Sequence, residues 1–355
     1  MIKIVTIIGA RPQFIKAAAF SDALKKFPEI KEVIIHTGQH YDKNMSEVFF
    51  NQLQIPKPKY KLESGDMTHA EMTGYQLMEI EKILLIEKPN WVLVYGDTNS
   101  TLAGALAASK IHIPIIHVEA GLRSNNMRMP EEVNRILTDR LSTILFCPTK
   151  IAEQQLFNEG YNNFDCSIEV VGDIMFDALK LISPQIEVAN SKQDVFVLCT
   201  LHRAENTDDE NRLLSIIKAL NEIAEEVPVR IPLHPRTKIK LENLKLKLHS
   251  NIRIEDPLSY IDFINAINNC EIVISDSGGI QKEAYFLKKN CMVIRDETEW
   301  TELIESKNNI LVGSNSDKIV RTFKVRKSLN QDFSEKFYGD GKTAEKIINS
   351  ILNFK

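Results

Sequence analysis

WVLVYGDTNSTLAGALAASKIHIPIIHV, residues 91–118, decides the fold. Trp91 to Tyr95 is a short apolar run rich in strand-forming residues, the alanine-rich stretch after Asp97 has helical composition, and Pro114 to Val118 is a second apolar run. Strand, helix and strand within about 30 residues make a βαβ unit, whose crossover forces the two strands to lie parallel. Strands buried on both faces read as continuous apolar runs rather than as alternating patterns, which is what both runs show.

The same alternation extends outward. Upstream, Lys3 to Ile8 and Val33 to His36 are predicted strands, and downstream Thr143 to Cys147 is another. A second series follows at Val195 to Cys199, Val229 to Pro232, Ile252 to Glu255, Ile272 to Ser275, Cys291 to Ile294 and Ile310 to Val312. Between them, TDDENRLLSIIKALNEIAEE predicts a helix capped by Thr207, with Leu213, Leu214, Ile217, Leu220 and Ala224 as its core stripe. A chain of 355 residues with 43% hydrophobic content exceeds what one core holds, since single cores stop growing near ~250–300 residues. The expectation is therefore two α/β halves. The polar stretch within Gly172 to Lys192 places the boundary near residue 175, giving domains 1–175 and 176–342. The segment 343–355, with Ala344, Ile347, Ile348 and Ile351 on one helical face, is expected to pack back on the first half.

A formal net charge of -4 and a pI near 6.1 give no overall pull toward nucleic acid or an anionic membrane. No apolar run approaches the ~20 residues of a membrane span, and the first strand is too short for a signal-peptide core, so a cytoplasmic protein is expected. The cysteines Cys147, Cys166, Cys199, Cys270 and Cys291 are scattered, which fits reduced core thiols; none has metal-ligand spacing.

In open parallel sheets, ligands bind at the carboxyl ends of the strands. Gly9-Ala10-Arg11-Pro12 is such a turn, and Arg11 and Lys16 are placed to face an anion there. The turn lacks the further glycines of a dinucleotide fingerprint, so no nicotinamide cofactor is indicated. Asp97 follows the strand at Trp91 to Tyr95, where it either caps the next helix or does chemistry. His117 to Arg135, HVEAGLRSNNMRMPEEVNR, holds three glutamates, three arginines and a histidine, and reads as the catalytic segment. Glu119 in it repeats Asp97's strand-end position; Glu131 and Glu132 follow Pro130, where they equally favour a helix start. In the second half, His202 and Arg203, then His234 and Arg236, follow successive strands and favour an anion. Ser277-Gly278-Gly279 between a strand and a helix lets backbone amides approach phosphate oxygens, and Glu283, one turn on, can accept from ribose hydroxyls or lie on a solvated face. The missing GKS/T ending excludes a P-loop. Together these groups imply a diphosphate ligand, with carboxylates clustered on the first half.

These residues resemble a family. GARPQFIKA, TGQHYD, YGDTNST, HVEAGLRS with PEEVNR, HRAEN, SDSGGIQKEA and RDETEW occur in the order found in non-hydrolysing UDP-N-acetylglucosamine 2-epimerases, and the match runs nearly end to end. The resemblance implies a GT-B-like fold of two Rossmann-like domains with the active site in the cleft between them, a homodimer, and a role in supplying surface polysaccharide synthesis. It implies interconversion of UDP-N-acetylglucosamine and UDP-N-acetylmannosamine by anti elimination of UDP and re-addition, with no cofactor and no metal. It assigns acid/base catalysis to Asp97, Glu119 and Glu131, and the diphosphate side to His202. Arg11, Lys16, Arg123, Arg203, His234, Ser277, Gly278, Gly279 and Glu283 are expected to bind the UDP-sugar.

Three segments depart from the family pattern. Gln39-His40-Tyr41 stands where allosterically activated members carry Gln-His-Arg, and Trp300 stands in a more usual Thr-Glu-Arg-Pro. The loop SNNMRMPEE is short and adds Arg128, which would suit the carboxylate of a UDP-2,3-diacetamido-2,3-dideoxy-glucuronate. That 2-epimerase activity is the alternative substrate reading, and a GT-B glycosyltransferase is the alternative reaction.

Overall fold

The structure is a computed structural model that describes residues 1–39, 50, 52–186, 195–233, 235–244 and 247–354. The chain divides into two compact units, residues 1–182 with 336–355, and residues 183–335.

Unit 1 holds a parallel sheet of strands β1 (Ile2–Ile8), β2 (Ile30–His36), β3 (Tyr60–Lys61), β4 (Trp91–Tyr95), β5 (Ile115–Val118), β6 (Ile144–Cys147) and β7 (Ser167–Val170). Their order is β3-β2-β1-β4-β5-β6-β7. The order reverses between β1 and β4, in register from Ile4 opposite Trp91 to Ile7 opposite Val94. The carboxyl ends beside such a switch point are where open α/β sheets bind ligands. Helices α1 (Arg11–Leu24), α2 (His69–Glu87), α3 (Asn99–Lys110), α4 (Pro130–Leu141), α5 (Lys150–Asn158) and α6 (Ile174–Ile182) connect or cover the strands. The small residues of α3 let it sit between α2 and α4 and against the sheet, so Ala103, Ala105, Ala107 and Ala108 are all wholly buried.

The C-terminal helix, Thr343–Asn353, buries Ala344, Ile347, Ile348 and Ile351 and packs on α1 and α6. Burying each isoleucine is worth about 1.5–3 kcal/mol, enough to fix this chain end on unit 1. Phe354 then meets Trp91 edge-on at 5.1 Å between ring centroids. The unit boundary falls after Ile182 rather than near residue 175, because the apolar face of α6 docks on α1. The chain returns to unit 1 at Lys336, before the expected residue 343, and the Asp173 amide there donates to the Tyr338 carbonyl at 3.0 Å.

Unit 2 repeats the plan with β8 (Val197–Thr200), β9 (Val229–Pro232), β10 (Ile252–Glu255), β11 (Ile272–Ser275), β12 (Cys291–Val293) and β13 (Asn309–Leu311), ordered β10-β9-β8-β11-β12-β13. Its helices are α7 (Ala204–Thr207), α8 (Glu210–Glu226), α9 (Pro235–Asn243), α10 (Tyr260–Asn269), α11 (Gly278–Phe286), α12 (Thr301–Glu305) and α13 (Ser316–Lys324). Thr207 does not cap the long helix α8: Asp209 does, accepting from the amides of Asn211 and Arg212, while Thr207 ends α7. Leu214 is 41% exposed, so the buried stripe of α8 runs through Leu213, Ile216, Ile217, Leu220, Ile223 and Ala224 instead. Four of the five cysteines are buried, and all five are free.

Candidate active site

In unit 1 the turns after β1 and β4 are latched together by Gln13, a residue with no distinguishing mark in its local sequence. The Gln13 Oε1 accepts from the amides of Gly9 and Ala10 at 2.8 and 3.1 Å. Its Nε2 donates to the Tyr95 carbonyl and Thr101 Oγ1 at 3.0 and 2.9 Å. Arg11 is the first residue of α1 and is half-buried. Lys16, more than a turn further and 5% exposed, donates through Nζ to Glu119 Oε1 at 2.6 Å. Glu119 holds a left-handed backbone conformation, φ 77°, just beyond β5. Such a conformation in a non-glycine residue costs about 1–3 kcal/mol and persists where surrounding structure fixes it. Gly96, also left-handed at φ 60°, lies against this pair: a Cβ there would sit 3.2 Å from Glu119 Oε1 and 3.3 Å from Lys16 Nζ.

Asp97 does not cap α3. Thr98 does, accepting from the Thr101 amide, which frees the Asp97 side chain. Its Oδ2 instead accepts from Arg135 Nη2 at 2.5 Å, and its backbone carbonyl accepts from Asn134 Nδ2 at 2.9 Å. Glu131 and Glu132 occupy the first turn of α4 and separate in role. Glu131 is half-buried and its carboxylate makes no hydrogen bond or ion pair among the described residues. Glu132 is 1% exposed and is held by backbone amides and by Arg135.

Arg123, expected at the sugar, is committed to the interior. Its guanidinium forks onto Glu159 at 2.8 Å through both Nε and Nη2, and Nη1 donates to Asp139 Oδ2 at 2.7 Å. Its side chain is 3% exposed and its guanidinium is held by these two carboxylates. Asp139 also accepts from His117 Nδ1 at 2.6 Å and from the Gly121 amide at 3.1 Å. His117 Nε2 lies 2.8 Å from the Gly96 carbonyl, so the ring bridges Asp139 and the turn after β4. This network braces the turn that carries Asp97 and the turn that carries Glu119. Arg128 is exposed on the loop before α4, and its guanidinium has no partner among the described residues.

Unit 2 builds its site at the equivalent switch point, between β8 and β11. His202 Nδ1 lies 2.8 Å from Asp276 Oδ1, and Asp276 also accepts from the backbone amides of His202 and Arg203, each at 3.0 Å. Burial pushes the Asp276 carboxyl up, but His202 and these amides outweigh it and hold it below the usual carboxylate range. Asp276 is fully buried while His202 is 53% exposed, so the carboxylate holds the ring through Nδ1. Arg203 donates through Nε to the Asp276 carbonyl at 3.1 Å. Ser277 precedes α11, whose first residues Gly278 and Gly279 present amides at the positive end of the helix. A Cβ on Gly278 would fall 2.2 Å from Glu299 Oε1, whereas Gly279 is exposed with nothing within 4 Å of that position. Glu299 is held by buried Arg295 at 2.9 Å, and Lys282 stacks 3.9 Å over the Trp300 ring. Glu283 is 5% exposed, so it lies on no solvated face. His234, His40 and Tyr41 lie outside the described residues.

Asp276→Asn keeps the side-chain volume but removes the charge that sets the ring of His202. Turnover should fall about 10- to 100-fold, part of what an oriented donor to developing charge supplies. Steady-state kinetics check this, with circular dichroism confirming that the variant is folded.

Among the described residues no cluster of His, Cys, Asp or Glu is placed to hold a metal ion, and no helix is long and apolar enough to cross a membrane. The model of the UDP-N-acetylglucosamine 2-epimerase family matches residues 22–352. The UDP-2,3-diacetamido-2,3-dideoxy-D-glucuronate 2-epimerase of Pseudomonas aeruginosa is 53% identical over 354 residues, 98% of this chain and 99% of that protein. The UDP-N-acetylglucosamine 2-epimerase of Methanocaldococcus jannaschii is 44% identical, with 98% of each chain covered. A crystal structure of the M. jannaschii UDP-GlcNAc 2-epimerase, in complex with UDP-GlcNAc and UDP, matches with a TM-score of 0.92 at 43% identity over the whole of both chains. With two Rossmann-like units of the GT-B-like class and a family match over nearly all its length, the chain belongs to the UDP-N-acetylglucosamine 2-epimerase family and is an isomerase.

Proposed function

We propose that this protein interconverts UDP-N-acetylglucosamine and UDP-N-acetylmannosamine by anti elimination of UDP and re-addition. The observation that carries the reading is the set of carboxylates in unit 1, Asp97 and Glu119 at strand ends and each held by a buried cation, and Glu131 in the first turn of α4 with no partner among the described residues. A carboxylate takes the C2 proton, the C1–O bond breaks with its electron pair on the departing UDP, and a C1–C2 double bond forms. Return of a proton to the opposite face of C2 and of the UDP oxygen to C1 completes the inversion. Two faces of one carbon require two acid/base groups, and Asp97, Glu119 and Glu131 supply them. His202 Nε2, Gly278 and Gly279 take the charge growing on the diphosphate, while Arg203, Ser277 and Glu283 bind the nucleotide. The reaction has no net redox change, so no cofactor enters it. The same reading makes the protein a cytoplasmic homodimer that supplies surface polysaccharide synthesis.

A second reading, a UDP-2,3-diacetamido-2,3-dideoxy-glucuronate substrate, is favoured by exposed Arg128 and by the P. aeruginosa relative. The test incubates the protein with each nucleotide alone in deuterated water and follows C2 by NMR. Deuterium at C2 together with the 2-epimer of UDP-N-acetylglucosamine is the expected result. Exchange with the uronate only favours the second reading, and no exchange with either nucleotide sinks both. A glycosyltransferase, lacking an acceptor, would give no exchange.

A further inference from the structure

Glu132 is buried beside the proposed catalytic carboxylates, yet the reaction as described has no use for it. Its two oxygens accept from the Ser124 amide at 3.1 and 2.9 Å, from the Asn125 amide at 2.8 Å and from Ser124 Oγ at 3.0 Å. The same carboxylate accepts from Arg135 Nη1 at 2.7 Å. Arg135, 4% exposed, turns its other terminal nitrogen to Asp97 at 2.5 Å. One planar guanidinium thus spans two carboxylates, a geometry that its fixed fork allows and that a lysine ammonium does not reproduce. Glu132 also fixes the start of the loop 124–129, which returns to α4 through buried Met129. A single buried group therefore sets both the first residues of that loop and the direction in which Arg135 presents Asp97.

We propose that Glu132 is a positioning residue that aims Asp97 through Arg135 and ties that aim to the loop 124–129. The proposal rests on the epimerase reading, so C2 exchange by the unaltered protein must be established first; without it that reading fails, not this one. Glu132→Gln keeps an oxygen for the amides of Ser124 and Asn125 but turns an N–H group toward Arg135, which has no acceptor to offer. The expected result is a fall in kcat of about 10- to 100-fold, the usual size of an effect acting through a neighbouring group. UDP affinity, set by unit 2 groups, should stay within about twofold. Arg135→Lys, which cannot span both carboxylates, should give the same split and serves if Glu132→Gln does not fold. Unchanged kcat in a folded variant overturns the proposal. So does a loss of kcat matched by an equal loss of UDP affinity, because that pattern belongs to general unfolding and not to a misdirected Asp97.

Discussion

Glu119→Gln should still bind UDP while C2 exchange falls by about 10²- to 10⁴-fold, the range a positioned general acid or base contributes. Glutamine fills the same volume and can keep the left-handed backbone, but it cannot take a proton from carbon. The change also leaves Lys16 with a neutral partner in a nearly buried position, side chain 6% exposed. An unpaired buried charge destabilises, so the melting temperature should drop as well and exchange must be measured well below it. The decisive comparison is Lys16→Met with Glu119→Gln in one chain, which removes both charges. If stability returns and exchange stays lost, chemistry and not folding explains the defect. Exchange at the parental rate in folded Glu119→Gln would remove this residue from the mechanism.

The strand ends were legible because parallel strands buried on both faces announce themselves as apolar runs, and each predicted run overlaps an observed strand and ends within one residue of it. Two edge strands were not. β3 has only two residues, Tyr60 and Lys61, and β7, Ser167–Val170, keeps no residue fully buried, so neither leaves a burial signal in sequence. Pairing was the harder matter. Arg123 and Arg135 stand in one segment and carry the same charge, yet one is committed to Asp139 and Glu159 and the other holds Asp97. The three-residue spacing of Glu132 and Arg135 on a helix is the one local signal that could have suggested their pairing. Asp276 was hidden inside a run of small residues that reads as a phosphate loop, although it is the carboxylate that orients His202. In both units a polar side chain joins the two turns that flank the switch point: Gln13 across β1 and β4, Asp276 across β8 and β11. Such cross-links depend on strand order, which local sequence does not encode.

Asp139→Asn should cost about 3–5 kcal/mol of folding stability, the usual penalty for removing one partner from a buried ionic group. Asp139 is wholly buried and meets His117, Arg123 and the Gly121 amide, so its loss leaves three buried donors facing a side-chain amide that can satisfy only part of their demand. Burial by itself would push the Asp139 carboxyl up; His117 and Arg123 outweigh it and hold it below the usual range. A carboxyl whose folded pKa lies below its unfolded value stabilises fully above the unfolded value, about 3.9, and loses that contribution as pH falls through the folded one. Urea unfolding of parent and variant should therefore show a constant gap from neutral pH down to about pH 5 that narrows below about pH 4. Glu159→Gln, whose carboxylate is 30% exposed, should cost far less, because water replaces the lost partner. The consequence reaches the chemistry through His117, which grips the Gly96 carbonyl one residue before Asp97. Folded Asp139→Asn should thus also turn over more slowly than its stability alone explains. A variant as stable as the parent at neutral pH would show that Arg123 and His117 do not depend on this carboxylate.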